Sequence, residues 1–229
     1  MTSAFTATIP QRVSTLKKSI TSMLPQVDRI QVVLNNFSSV PEFLKHEKIT
    51  CVFSDNSLED GSRFKNIQNS NGGIIVFDDD IQYPPDYVSE MQRHCDVLRA
   101  KYNTPVIVAP MGKVLKTRPI DHYYQDIEKS YKTFSDVGDY HQVDVPGACG
   151  IFWSSHDVPI TEEIITPEIH HSDICVGAFA KQHGILCFVV PHRAGWLKNL
   201  MPEISRSPTI YGKYRRNDEK LTEFVNKWI

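Results

Sequence analysis

Gly72-Gly73-Ile74-Ile75-Val76-Phe77-Asp78-Asp79-Asp80-Ile81-Gln82-Tyr83-Pro84-Pro85-Asp86-Tyr87 is the stretch from which the rest of the chain is read. The apolar run Ile74 to Phe77 is short, β-branched and entered through two glycines, which predicts a buried strand. Its C-terminal end then delivers three carboxylates. Adjacent acids repel one another and resist leaving water, so at a buried strand end they need a cation or a set of N–H donors as compensation. A divalent metal is the simplest compensation. Side chains alternate along an extended backbone, so Asp78 and Asp80 are expected on one side and Asp79 on the other, a D-x-D pair suited to a hard cation. A solvated acidic turn before the helix that Pro84-Pro85 initiates is the plainer alternative.

Working outward, Thr6 to Ile9 reads as a first strand stopped by Pro10, and Val13, Leu16, Ile20 and Leu24 recur at helical spacing. Ile30 to Leu34 and Ile49 to Phe53 are the second and third strands. Val88, Met91, Cys95 and Leu98 predict an amphipathic helix after the prolines, and Pro105 to Ala109 returns as a strand. This alternation predicts an α/β fold with a mostly parallel central sheet flanked by helices. The stretch from Gly112 to Tyr140 has no clean period and is the expected seat of substrate-specific elaboration. Gly147 to Trp153 is a strand interrupted by glycines, either a bulge or a place of close approach to the backbone. Ser172 is the expected N-cap of a helix whose first turn holds Asp173, an acid that the helix dipole alone would also favour. Ile185 to Val190 is the last core strand, followed by His192; a short amphipathic helix carrying Leu221, Phe224, Val225 and Trp228 ends the chain.

The 229 residues suit one domain, and 41% hydrophobic with 23% charged residues and a formal net charge of -2 is a balanced globular composition. That balance argues against nucleic acid as a partner. No apolar run reaches the ~18 residues of a membrane span, and nothing at the start resembles a signal peptide. The five cysteines lack the short paired spacing of a zinc site and lie mostly in apolar stretches, so they are read as reduced core residues of a cytoplasmic protein.

Four features in order carry a resemblance to a known family. They are Thr6-Ala7-Thr8-Ile9-Pro10-Gln11-Arg12, the strand-borne Asp78-Asp79-Asp80, the Gly147 to Trp153 segment, and Ser172-Asp173 followed by His192. With them the chain resembles the nucleotide-sugar-dependent glycosyltransferases of the GT-A fold, and among these the bacterial enzymes that build surface polysaccharides. The resemblance implies a single Rossmann-like domain, its nucleotide-binding half about residues 1–110 and its acceptor-binding half about 111–229. It implies Mn²⁺ or Mg²⁺ held by Asp80 and Asp78 with His192 as third ligand, and Asp173 as the general base of an inverting transfer. Thr8, Arg12, Asp55, Lys65, Asp78 and Asp79 fall where such enzymes hold the donor nucleotide, with Lys65 chosen as the basic residue of Gly61 to Lys65. Lys213, Arg215 and Arg216 are placed to close over the diphosphate, and Gly147, Trp153 and His171 to meet the acceptor. A nucleotide-sugar donor, a glycan or lipid-linked glycan acceptor, and at most peripheral contact with the inner membrane face are the implied partners.

The chain also departs from the family, because Ser172 stands where many relatives carry a first of two adjacent acids. Three other readings stay open: a nucleotidyltransferase, a non-catalytic nucleotide- or glycan-binding module, and a retaining transferase. The first normally opens with a glycine-rich loop after its first strand, which Pro10-Gln11-Arg12 is not.

Overall fold

A computed structural model describes residues 1–201, 212–213 and 218–228. Its strands are β1 (Thr2–Thr8), β2 (Arg29–Asn35), β3 (Ile49–Ser54), β4 (Gly73–Val76), β5 (Ile81–Gln82), β6 (Val106–Ala109), β7 (Gly112–Leu115), β8 (Ile127–Tyr131), β9 (His141–Gln142), β10 (Val145–Pro146), β11 (Ile151–Ser154), β12 (Leu186–Val189) and β13 (Lys198–Asn199). The helices used below are α1 (Val13–Met23), α2 (Tyr87–Tyr102), α3 (Ser172–Gln182) and α4 (Glu219–Asn226).

Eight strands form one mixed sheet in the order β3-β2-β1-β4-β11-β6-β12-β9. The expected parallel register holds from β3 to β4 and again between β6 and β12. Between these blocks β11 runs antiparallel to both β4 and β6, and β9 is antiparallel at the edge. The sheet is therefore mixed, with six of its eight strands running one way and β11 and β9 the other. The reason lies in Gly147 to Trp153, whose glycine turn brings the chain back beside β4 from the opposite direction.

Period-two burial divides the sheet into two faces. Ala4, Val32, Leu34, Ile75 and Val108 pack with Leu16, Ile20 and Met23 of α1 and Val88, Met91, Cys95 and Leu98 of α2. Phe5, Ile74, Val76, Ile107 and Trp153 point the other way and pack with Phe64, Ile67 and, from α3, Val176 and Ala180. A second sheet, β10-β7-β8, occupies the region that lacked a readable period. Its Leu115 and Val145 join Ile174 and Cys175 of α3 and Leu221, Val225 and Trp228 from the C-terminal segment in a third cluster. The apolar side of α4 is thus covered by protein. Among the described residues no helix is long and apolar enough to cross a membrane. All five cysteines are free, and Cys51 alone is not fully buried.

The first strand runs on one side to β2 and β3 and on the other to β4, so the chain reverses its direction of travel across the sheet between β1 and β4. In open α/β sheets the crevice beyond the carboxyl ends of the strands at such a switch point is where ligands bind. The carboxyl end of β1 carries Thr8, and the carboxyl end of β4 leads into the three aspartates.

Candidate active site

A cleft of about 910 Å³ opens at this point. Its floor is made by Thr8, Arg12 and Asp78 to Asp80, and its opposite wall by Lys113, Tyr124, Gly147 to Cys149, His171 and Asp173. Thr8, Arg12, Asp78, Asp79, Asp80, Gly147, His171, Asp173 and Lys213, scattered over the whole chain, are brought together.

The acids do not alternate as an extended strand would have them. Pairing persists to Phe77, whose N–H donates to Phe5 O at 3.0 Å, and the chain then turns at Asp79 and Asp80. The turn swings both of those side chains onto one guanidinium: Arg12 Nη1 stands 2.9 Å from Asp79 Oδ1 and 3.2 Å from Asp80 Oδ2. Asp78 is left to a second guanidinium, Arg63, at 2.6 Å. Two hydroxyls pin the backbone there, Ser19 donating to Asp78 O at 2.8 Å while Tyr83 Oη accepts from Asp78 N at 3.0 Å.

Arg63 corrects the choice of Lys65. Lys65 Nζ turns to Ser54 Oγ at 3.1 Å, outside the cleft lining. Arg63 is 7% exposed and also donates to Ala148 O at 3.1 Å and, through Nε, to Asp60 O at 2.9 Å. Both residues lie in a segment too irregular for its facing to be read from periodicity; it forms the 3-10 helix Glu59–Phe64, which buries Ser62, Arg63 and Phe64 in succession.

Three carboxylates outnumber the two guanidiniums, and the surplus shows as carboxyls that resist ionisation. Burial, then the charges of Asp78 and Asp79, push the Asp80 carboxyl up to about 7, with Arg12 and Arg63 holding it back. Burial likewise raises the Asp79 carboxyl from its ordinary value, against the opposing pull of Arg12. Arg12 and Arg63 are both raised, since burial disfavours their charge less than the acids around them favour it. Asp79 Oδ2 is buried with no hydrogen-bond partner among the described residues.

An oxygen-only donor set with uncompensated charge fits a hard cation, and Asp78 and Asp80 meet that requirement. His192 does not join them. Its Nδ1 donates to Val190 O at 2.9 Å, its backbone pairs with Val137, and its ring lies 5.9 Å from that of Trp196, away from the cleft lining. Among the described residues no three His, Cys, Asp or Glu side chains converge as a preformed ligand set.

Asp173 is where the helix reading put it, in the first turn of α3, but Ser172 is the first helical residue and His171 the N-cap. The Ser172 hydroxyl does not cap the helix; it donates to Asp60 Oδ2 at 2.8 Å. Lys113 Nζ stands 3.9 Å from Asp173 Oδ2. His171 is 8% exposed, and its Nδ1 donates to Ile169 O at 2.9 Å. In the neutral ring Nε2 therefore accepts the Tyr124 hydroxyl, 2.6 Å away.

Two further expectations are corrected. Trp153 is 1% exposed in β11 and belongs to the core, not to an acceptor surface. Asp55 is an exposed turn residue whose Oδ1 accepts from Ser57 N and Oγ, which lowers its pKa; the neighbouring Asn56, at φ 64°, lines the cleft instead. Lys213 pairs with Glu59 at the cleft rim, whereas Arg215 and Arg216 lie outside the described residues. Asn35, Asp60, Arg63, Lys113 and Tyr124 line the cleft without having been singled out as site residues. A basic residue in Gly61 to Lys65 was the one usable signal among them.

No protein-family model matches this chain, and no curated protein matches it in sequence.

Proposed function

We propose that the protein is a single GT-A-type domain that transfers a sugar from a nucleotide diphosphate donor, a UDP-sugar by preference, to a glycan hydroxyl. The observation that carries this reading is the convergence of two features on one cleft. The acid cluster lies at the carboxyl end of β4, at the switch point of the sheet, and Asp173 faces the same space from α3. A volume of about 910 Å³ suits a ligand of nucleotide-sugar size.

Asp80, assisted by Asp78, would hold Mn²⁺ or Mg²⁺, which when bound supplies Lewis-acid neutralisation of the departing diphosphate. Asp173 takes the proton from the acceptor hydroxyl as its oxygen bonds the anomeric carbon, and the bond from that carbon to the diphosphate oxygen breaks on the opposite face, inverting the centre. Thr8 and Arg12 flank the acids on the nucleotide side, and the wall of Lys113, Tyr124 and Gly147 receives the acceptor. The setting that follows from the resemblance is bacterial surface polysaccharide synthesis, in the cytoplasm or at the inner membrane face, with a glycan or lipid-linked glycan as acceptor.

A panel of nucleotide-sugars is screened for release of nucleoside diphosphate with Mn²⁺, Mg²⁺ or EDTA, using wild type, Asp80→Ala and Asp173→Asn. Cation-dependent release from one donor, lost in both folded variants, is the expected result. Release of inorganic pyrophosphate from a nucleoside triphosphate and a sugar phosphate would instead make the protein a nucleotidyltransferase. Binding of a nucleotide-sugar without turnover on a broad acceptor panel would make it a binding module.

A further inference from the structure

The acid cluster and Asp173 come from opposite sides of the cleft, and a transfer reaction needs them in register. Among the described residues a continuous link joins the two. Arg63 Nη1 grips Asp78 Oδ1 at 2.6 Å and the carbonyl of Ala148 at 3.1 Å, so a single guanidinium touches both the donor-side acid and the loop opposite. Its Nε donates to the Asp60 carbonyl at 2.9 Å, and Nη2 lies 3.7 Å from Asp60 Oδ2. The same Asp60 Oδ2 accepts from the Ser172 hydroxyl at 2.8 Å and from the Ser172 backbone N–H at 3.3 Å. Ser172 is the residue before Asp173 and opens α3.

We infer that Asp60 is a positioning residue that fixes the start of α3, and with it Asp173, relative to the acids at the end of β4. This rests on the transferase reading, in which Asp173 meets the acceptor. Three features set Asp60 apart from an ordinary helix cap. It arrives from 112 positions away in sequence, so nothing local requires it. It shares its carboxylate between the helix start and a guanidinium that already belongs to the donor side. Its second oxygen, Oδ1, is buried with no hydrogen-bond partner among the described residues, a cost that a cap at the surface would not carry. A carboxylate at this place is also favoured by the dipole of α3, which strengthens the link without lengthening it.

Wild type, Asp60→Asn, Asp60→Ala, Ser172→Ala and the double variant Asp60→Ala/Ser172→Ala are compared for kcat per folded molecule and for donor and acceptor KM. Small misplacements of a reacting group cost about 10²-fold in rate. Asp60→Ala is therefore expected to lower kcat by about that factor while donor KM stays within about threefold, because Arg63 still holds Asp78. Asp60→Asn keeps an acceptor for Ser172 but loses the charge facing Arg63, and is expected to fall between wild type and Asp60→Ala. Since both side chains act through one link, the double variant is expected to be no worse than Asp60→Ala alone.

If Asp60→Ala does not fold, the Ser172→Ala and Asp60→Asn arms carry the same test: a loss in kcat with donor KM kept supports the role. The inference is overturned if an active wild type is matched within about twofold by Asp60→Ala, if donor KM rises in step with the loss of kcat, or if the two single losses multiply in the double variant. A wild type that releases no nucleoside diphosphate from any donor overturns the transferase reading itself and the inference with it, an outcome recognisable before any variant is compared.

Discussion

Asp80→Asn is expected to stabilise the cation-free protein at pH 8 while removing its chemistry. The Asp80 side chain is 14% exposed, and burial together with Asp78 and Asp79 raises its carboxyl from the ordinary 3.8 to about 7. Each tenfold change in proton affinity is worth about 1.4 kcal/mol, so holding this group ionised in the fold costs roughly 4 kcal/mol at full ionisation. Because the folded pKa lies above the unfolded one, the folded state keeps the proton to higher pH. Stability from this group is whole below the unfolded value and is lost as pH rises through the folded value. Of the total, about 2.5 kcal/mol falls between pH 5 and pH 8. Asparagine is nearly isosteric and its carbonyl still accepts from Arg12, which stands 3.2 Å from Asp80 Oδ2. The assay is urea unfolding of wild type and Asp80→Asn in EDTA across that range. Wild type should lose about 2–3 kcal/mol more than the variant on going from pH 5 to pH 8, and the variant should be the more stable protein at pH 8. Parallel pH profiles, or a variant less stable than wild type at pH 8, would refute the assignment of buried excess charge to Asp80.

Mn²⁺ at about 100 times its Kd should stabilise wild type by about 2.7 kcal/mol at pH 8, less at pH 5.5, and not at all in Asp80→Asn. An equal thermal shift in the variant would remove Asp80 from the ligand set. Arg63→Met strips the buried compensation from Asp78 and Asp60 and should cost about 3–5 kcal/mol in urea unfolding, whereas Lys65→Ala should stay within about 0.5 kcal/mol; the reverse order would contradict the placement of these side chains. Trp153→Ala should cost about 3–5 kcal/mol as a core truncation with kcat per folded molecule unchanged. A changed acceptor KM in that variant would restore Trp153 to the acceptor site.

Periodicity made the frame legible because the signals are local. The β-branched runs at Ile30, Ile49, Ile74 and Pro105 and the helical spacing from Val13 and from Val88 each needed only a window of residues, and every one became the element it predicted. Direction was not legible in the same way. Nothing in Ile151-Phe152-Trp153 says which way the strand runs, since burial on both faces looks the same in a parallel and an antiparallel neighbour. The turn through Gly147 and Gly150 decides it. Gly150, at φ 142°, is in a backbone conformation that glycine alone adopts easily, and Tyr87 occupies the space that a Cβ would need. The β7–β8 hairpin escaped for another reason: its strand β8 reads intermediate-exposed-exposed-exposed-intermediate, so it carries no apolar alternation to detect.

The cleft residues that were found and those that were missed differ in how their partners are reached. Asp78 to Asp80 announce themselves because three acids in a row are a problem visible within the sequence. The solution to that problem is not visible there, since Arg12 lies 67 positions from Asp79, and Arg63 shares its irregular segment with the equally basic Lys65. Neighbours in sequence leave a metal as the simplest compensation for the triplet, whereas the folded chain supplies two guanidiniums first. A cation is then asked to balance less than three charges. Burial and the neighbouring acids keep the Asp80 pKa at about 7 even with both arginines in place, so its ionised form is the one that gains from a further positive charge. Asp80 is also one of two acids that share the Arg12 guanidinium, so a cation approaching Asp80 would compete with Arg12 for its Oδ2 while the Arg12–Asp79 pair at 2.9 Å keeps the guanidinium in place.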